Sequence, residues 1–224
     1  MRLILSLCVV GLISITGVNP HPAMAQHFDH AVLDTVLVRY VAGGRVDYAV
    51  LLAERVILDR YLAQIAAVEA DEFARWDRPD QIAYLINAYN AYMLETVIDH
   101  YPIKGGGLFK GLFHPKNSVR RIKGVFDGIV HRAAGEDLTL DDIEHGLLRA
   151  EYKEPRIHLA LVCAALSCPP LREEAYTGDR LGEQFADQAH RFFNDPRHNR
   201  IEVARGRVRL SKIFDWFGED FVVF

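Results

Sequence analysis

The chain has 224 residues and a formal net charge of −4; half of it is apolar and a quarter is charged. That balance excludes a disordered chain and supplies enough apolar side chains for one sizeable core. A mildly acidic chain with scattered lysines and arginines is a poor nucleic-acid binder. Its one small basic cluster in the middle of the chain, Arg120, Arg121 and Lys123, fits a solvated strand edge.

The N-terminus has the three parts of a secretory signal. Arg2 is a lone positive charge, and Leu3 to Val18 is an apolar run interrupted only by small polar residues. Asn19, Pro20 and Pro22 then break any helix, and Ala23-Met24-Ala25 offers a cleavage site before Gln26. A spanning helix needs about 20 apolar residues, so a cleaved signal peptide over residues 1–25 is the expectation, with the rest a single globular domain. No later segment is apolar for long enough to cross a membrane. The product would be exported, to a periplasm or to the outside. Cleavage removes Cys8 and leaves Cys163 and Cys168, two thiols in an oxidising place where pairing is common.

The predicted elements follow in chain order. Phe28, Val32, Thr35, Val36 and Arg39 recur at helical spacing and mark a first helix over His27 to Tyr40. Gly43-Gly44 ends it, and Arg45 to Tyr48 is a short extended piece. Val50 to Val68 is a second helix. Asp77 as N-cap and Pro79 in the first turn open the longest helix, Asp80 to about His100, which Tyr101-Pro102 stops. Gly105-Gly106-Gly107 begins a loop through Pro115. Ser118 to Ala134 has the pattern of a hairpin with its turn at Phe126-Asp127-Gly128. Thr139 and Asp142 form a capping box for a helix to about Ala150. Pro155 to Leu166 is a short buried helix or a buried strand, which periodicity alone does not separate. Asp179 to Phe193 is amphipathic, Ile201 to Leu210 is a second hairpin, and Ser211 to Phe221 is a short aromatic helix. The class is α+β: about six helices and a small antiparallel sheet.

Three stretches could carry chemistry. Asn87 and Asn90 share a face of the longest helix, where buried asparagines need partners. They either hydrogen-bond neighbouring loop backbone, or one of them orients a catalytic group or a bound ligand. His145 and Arg149 share a face of the helix after Thr139, with Glu144 about 100° around it; His145 could be a general base or a satisfied structural side chain. His158 enters the apolar run that ends at Cys163, Ser167 and Cys168. A thiolate nucleophile needs a base such as His145 or His158 beside it; a Cys163–Cys168 disulfide is the structural alternative. No metal site or cofactor is indicated: HExxH, CxxC and GxSxG are absent, and the glycine run lacks the ending of a phosphate loop.

Taken in order, Gly44-Arg45-Val46-Asp47-Tyr48, Asn87-Ala88-Tyr89-Asn90-Ala91, Ile143-Glu144-His145, Leu148-Arg149, Arg156-Ile157-His158, Cys163, Ser167-Cys168-Pro169-Pro170-Leu171, Tyr176, and Leu210-Ser211-Lys212-Ile213-Phe214 with Trp216 and Asp220-Phe221 resemble the "domain of unknown function 547" family. The resemblance implies that these residues gather in the fold. It brings no reaction. The family has bacterial exported members and intracellular plant members, the latter also with the cysteine pair, and its members usually continue past the equivalent of Asp220-Phe221.

Two functions follow as expectations. One is a thiol-dependent hydrolase or transferase acting on an amide or thioester of a small molecule or peptide. Its nucleophile would be Cys163 or Cys168, its base His145 or His158, and its orienting group Glu144 or Asn90. The other is a non-catalytic module that binds a small ligand or a partner, with a structural disulfide and with Asn87, Asn90, Arg149 and Ser167 as binding residues.

Overall fold

A computed structural model describes residues 27–104, 117–164 and 168–222. The expected signal peptide, the loop beginning at Gly105 and Ser167 lie outside the described residues.

The core is organised by one helix. Helix α5 (Arg78–Asp99) is buried over nearly its whole length, and Pro79 sits in its first turn. Against it pack α2 (Tyr48–Ala53) and α3 (Val56–Ala66), and α1 (Ala31–Tyr40) packs in turn on α3, whose apolar stripe is Leu58, Tyr61, Leu62 and Ile65. Among the described residues no helix is long and apolar enough to cross a membrane.

The second predicted helix is divided. Asp47 caps α2 by accepting from the Val50 amide at 3.2 Å, so Tyr48 is helical rather than extended. The chain then breaks at Glu54 and Arg55, whose charges are drawn opposite ways. Glu54 takes Arg39 (2.6 Å) and the Tyr40 hydroxyl (2.9 Å) on α1, whereas Arg55 takes Asp99 (2.7 Å) at the end of α5. A short helix α4 (Ala70–Phe73), absent from the sequence-based pattern, follows.

Among the described residues the strands form three separate antiparallel hairpins, where about two were expected. β1 (Val41–Ala42) and β2 (Arg45–Val46) enclose Gly43-Gly44, both at positive φ. The middle hairpin is displaced from its predicted place. Gly124 and Gly128 approach closely enough to close a tight turn, with the Gly128 and Ile129 amides donating to the Gly124 carbonyl at 3.0 and 2.9 Å. The strands begin only after it, as β3 (His131–Ala133) and β4 (Glu136–Leu138), turning at Ala134-Gly135 with both residues at positive φ. β5 (Arg200–Glu202) pairs with β6 (Arg207–Arg209) within the predicted second hairpin.

The Thr139–Asp142 box forms: the Thr139 amide donates to the Asp142 carboxylate at 2.9 Å, and the Asp142 amide to the Thr139 hydroxyl at 3.1 Å. The helix it opens, α6 (Asp142–Glu151), is wound as a π-helix. Short α7 (Ile157–Ala160) settles the helix-or-strand alternative in favour of a helix, from which the chain leaves extended at Leu161. α8 (Leu181–Phe193) and α9 (Ile213–Trp216) complete an α+β fold.

Candidate functional site

Four buried amide side chains hold the irregular chain between α7 and α8. Asn90 donates to the Ala160 carbonyl at 3.1 Å and accepts from the Val162 amide at 2.9 Å. Asn87 does the same at Tyr176, at 2.7 and 3.0 Å. From α8, Gln184 brackets Ala175 and Thr177, and Gln188 donates to the carbonyls of Leu159 (2.9 Å) and Pro170 (2.8 Å). A buried amide that both gives and takes a bond acts as a substitute ladder for backbone that has no strand beside it. The asparagines were visible in the sequence as anomalies. The glutamines were missed, although their position on the apolar face of α8 was a signal.

The segment held in this way carries a disulfide between Cys163 and Cys168, with Cα atoms 6.1 Å apart. Among the described residues no hydrogen bond links either sulfur to a histidine. Beside it is a pocket of about 230 Å³. Its apolar wall is Val46, Val162, Ala164, Cys168 and Pro169 to Leu171, and its polar groups are Arg45, Tyr48, Arg197 and His198. Gly44 makes the wall possible: at φ +76° its backbone lies against Pro170, where a Cβ would overlap the proline ring. Arg197 is held bidentately by Asp195, at 2.6 to 3.0 Å. His198 stacks on Phe192, and burial pushes its imidazole pKa down, so it is a neutral donor or acceptor. Burial pushes the Tyr48 hydroxyl up to about 12. Arg45, exposed on β2, has no carboxylate partner among the described residues and is the pocket's uncommitted charge. Among the described residues no aspartate or glutamate lines the pocket.

A second cluster lies at His158. Asp220 accepts from Arg149 Nε (2.6 Å) and Nη2 (3.1 Å) and from His158 Nε2 (2.8 Å). The Arg149 bond, followed by that of His158, holds the Asp220 carboxyl below its usual range, and an ionised carboxylate only accepts. His158 Nε2 therefore carries the proton. Burial outweighs Asp220 and lowers the His158 pKa, so the ring is neutral and Nδ1 is an acceptor. Glu144 Oε1 is 3.8 Å from Nδ1, beyond a hydrogen bond. Burial raises the Glu144 carboxyl, and Tyr89 on α5 is its hydrogen-bonding neighbour. Phe217 lies flat over the imidazole, with centroids 3.8 Å apart and planes 9° apart, and the Arg149 guanidinium lies 5.3 Å from the Phe217 centroid. An aspartate–histidine pair is base-like chemistry, but this imidazole is buried, with Phe217 stacked on its face.

A family model described as "Protein of unknown function, DUF547" matches residues 73–193. The chain belongs to that family. Neither the curated proteins nor the solved structures give a match. Within the DUF547 span lie Asn87, Asn90, Glu144, His145, Arg149, His158, Cys163 and Cys168, but not Asp220, Phe217, Arg45, Arg197 or His198. Tertiary structure thus brings together His158, Glu144 and Arg149, joined by Asp220. It leaves His145 exposed, 6.1 Å from Phe217 between ring centroids. Both asparagine amides bond backbone, and both cysteines bond each other. Among the described residues no group of three or more histidine, cysteine, aspartate or glutamate side chains could hold a metal ion.

Proposed function

We propose that this member of the DUF547 family is an exported, non-catalytic module that binds a small acidic ligand in the pocket beside a structural Cys163–Cys168 disulfide. The observation that supports it is the pocket's composition among the described residues: one wall of proline, valine and disulfide, one uncommitted guanidinium at Arg45, and no carboxylate. A carboxylate or phosphate ester with a short apolar body suits those walls. Calorimetry against a panel of small carboxylates and phosphate esters tests it. A binder should lose roughly 10-fold or more in affinity in Arg45→Ala, the cost of one charge-assisted bond. Alkylation of the unreduced protein should leave both sulfurs unmodified. An Arg45→Ala variant that binds every panel member as the parent does would sink the reading.

One observation favours a second reading. Cys168 lines the same pocket as His198. Reduction would place a thiol in a ligand-sized cavity, as a thiol-dependent hydrolase or transferase acting on an amide or thioester requires. Turnover of a thioester that appears only with reductant and vanishes in Cys168→Ser would support it.

A further inference from the structure

The last hairpin is amphipathic and its apolar face is uncovered. In β5–β6, Ile201 stands opposite Val208, while Arg200 faces Arg209 and Glu202 faces Arg207. Side chains alternate along a strand, so Ile201 and Val208 share one face and the charged residues share the other. Leu210 follows Val208 on the apolar side by the same alternation, and Val203 sits at the turn. Exposure is 70% at Ile201, 63% at Val208, 85% at Val203 and 51% at Leu210. Single exposed aliphatics are ordinary on a protein surface, but a group of four on one small element marks a contact surface.

The charge is equally one-sided. Arg200, Arg205, Arg207 and Arg209 surround a single carboxylate, Glu202, which already pairs with Arg200 (3.2 Å) and Arg205 (3.5 Å). Arg209 reaches only the Pro196 carbonyl, at 3.3 Å, and Arg207 has no carboxylate partner among the described residues. In a chain of net charge −4 this is a local reversal of sign.

We propose that the β5–β6 hairpin is a docking surface for an anionic lipid bilayer. The sidedness selects this occupant. Aliphatic side chains on one face and guanidinium groups on the other match an element lying in the bilayer interface. The aliphatics enter the acyl boundary while the arginines bend back to the phosphates. A groove on an acidic protein would want cations and aliphatics on the same face. A second copy stacked on the apolar face would leave the arginines unanswered. The docking is peripheral and independent of what the pocket binds.

Vesicle co-sedimentation tests the proposal. The chain from Gln26 onward keeps every described residue and is the form to use. It should sediment with vesicles of equal parts phosphatidylglycerol and phosphatidylcholine, and far less with phosphatidylcholine alone, with binding that weakens as salt rises. Arg207→Ala with Arg209→Ala should lower partitioning roughly 30-fold, from the usual contribution of each arginine at an anionic surface. Val203→Asp with Val208→Asp should abolish it. Both pairs are exposed, so unchanged melting temperatures should accompany the loss and exclude misfolding. Equal sedimentation with neutral vesicles, or variants that sediment like the parent, would overturn the proposal. So would tight binding to an oligonucleotide or a concentration-dependent dimer in place of vesicle binding.

Discussion

The chain around α5 and the C-terminal stretch beyond α8 handle polar and apolar groups in opposite ways. Near α5, Asn87 and Asn90 are buried, and each gives and accepts a backbone hydrogen bond. Beyond α8, four aliphatic residues of the hairpin face water, and two of its arginines have no carboxylate partner among the described residues. In the first region the unusual residues are consumed by the fold, because a polar group taken from water must be re-paired. In the second the fold leaves groups unmatched, which is where a partner can gain free energy. The lesson is that the more conspicuous motif is the less available one.

The contrast can be broken most sharply at Asn90. Asn90→Ala strands the Ala160 carbonyl and the Val162 amide, and should cost about 3 kcal/mol in denaturant unfolding. A loss under 1 kcal/mol would mean that the loop finds other partners and that Asn90 is free for a ligand.

Acidity probes the same core. Burial brings His30, bonded to Tyr61 at 2.7 Å, down to about 4, and His131 falls to about 4 as well. The unfolded chain therefore takes up protons first as pH falls. Stability present above pH 6.5 should be lost progressively towards pH 4. His30→Gln should remove up to about one proton of that slope, roughly 1.4 kcal/mol per pH unit. An unchanged slope in chemical denaturation across this window would show that His30 is not held neutral.

Reducing the disulfide, or Cys163→Ser with Cys168→Ser, should cost about 2 kcal/mol, since so short a loop restrains little unfolded-state entropy. Retention of ligand affinity in the double variant would separate the staple from the pocket.

The smallest effect belongs to the partly exposed Asp220. Asp220→Asn should cost about 1 kcal/mol, because Arg149 is well solvated and water screens much of the pair. The Asp220 carboxyl titrates below its usual range, so its contribution is present above the ordinary aspartate value. It should disappear as pH falls through the lowered one. Parent and variant thermal melts should converge in acid.

Local chemistry was legible where a few neighbouring residues decide it. The Thr139–Asp142 box, Pro79 in the first turn of α5 and the end of the first helix before Gly43-Gly44 are examples, as is a hairpin between Ile201 and Leu210. The break at Glu54–Arg55 was not legible: the partners of its two charges, Arg39 and Asp99, lie on other helices. The middle hairpin was misplaced because the Gly124–Gly128 approach consumes residues whose alternation resembled a strand.

For the site, the sequence by itself determined the family pattern, the α+β class and the unusual residues: two asparagines, Glu144, Arg149, His158 and a cysteine pair. Only tertiary structure decided their company. It joined the cysteines to each other and turned the asparagines to backbone. It set Asp220, 62 residues beyond His158, against His158 Nε2, and it made a pocket from Arg45 and His198, which no motif had linked. The physical reason is range. Capping, turn chemistry and strand alternation act within a few residues, whereas ion pairs, stacking and pocket walls join residues that only the packed core brings together.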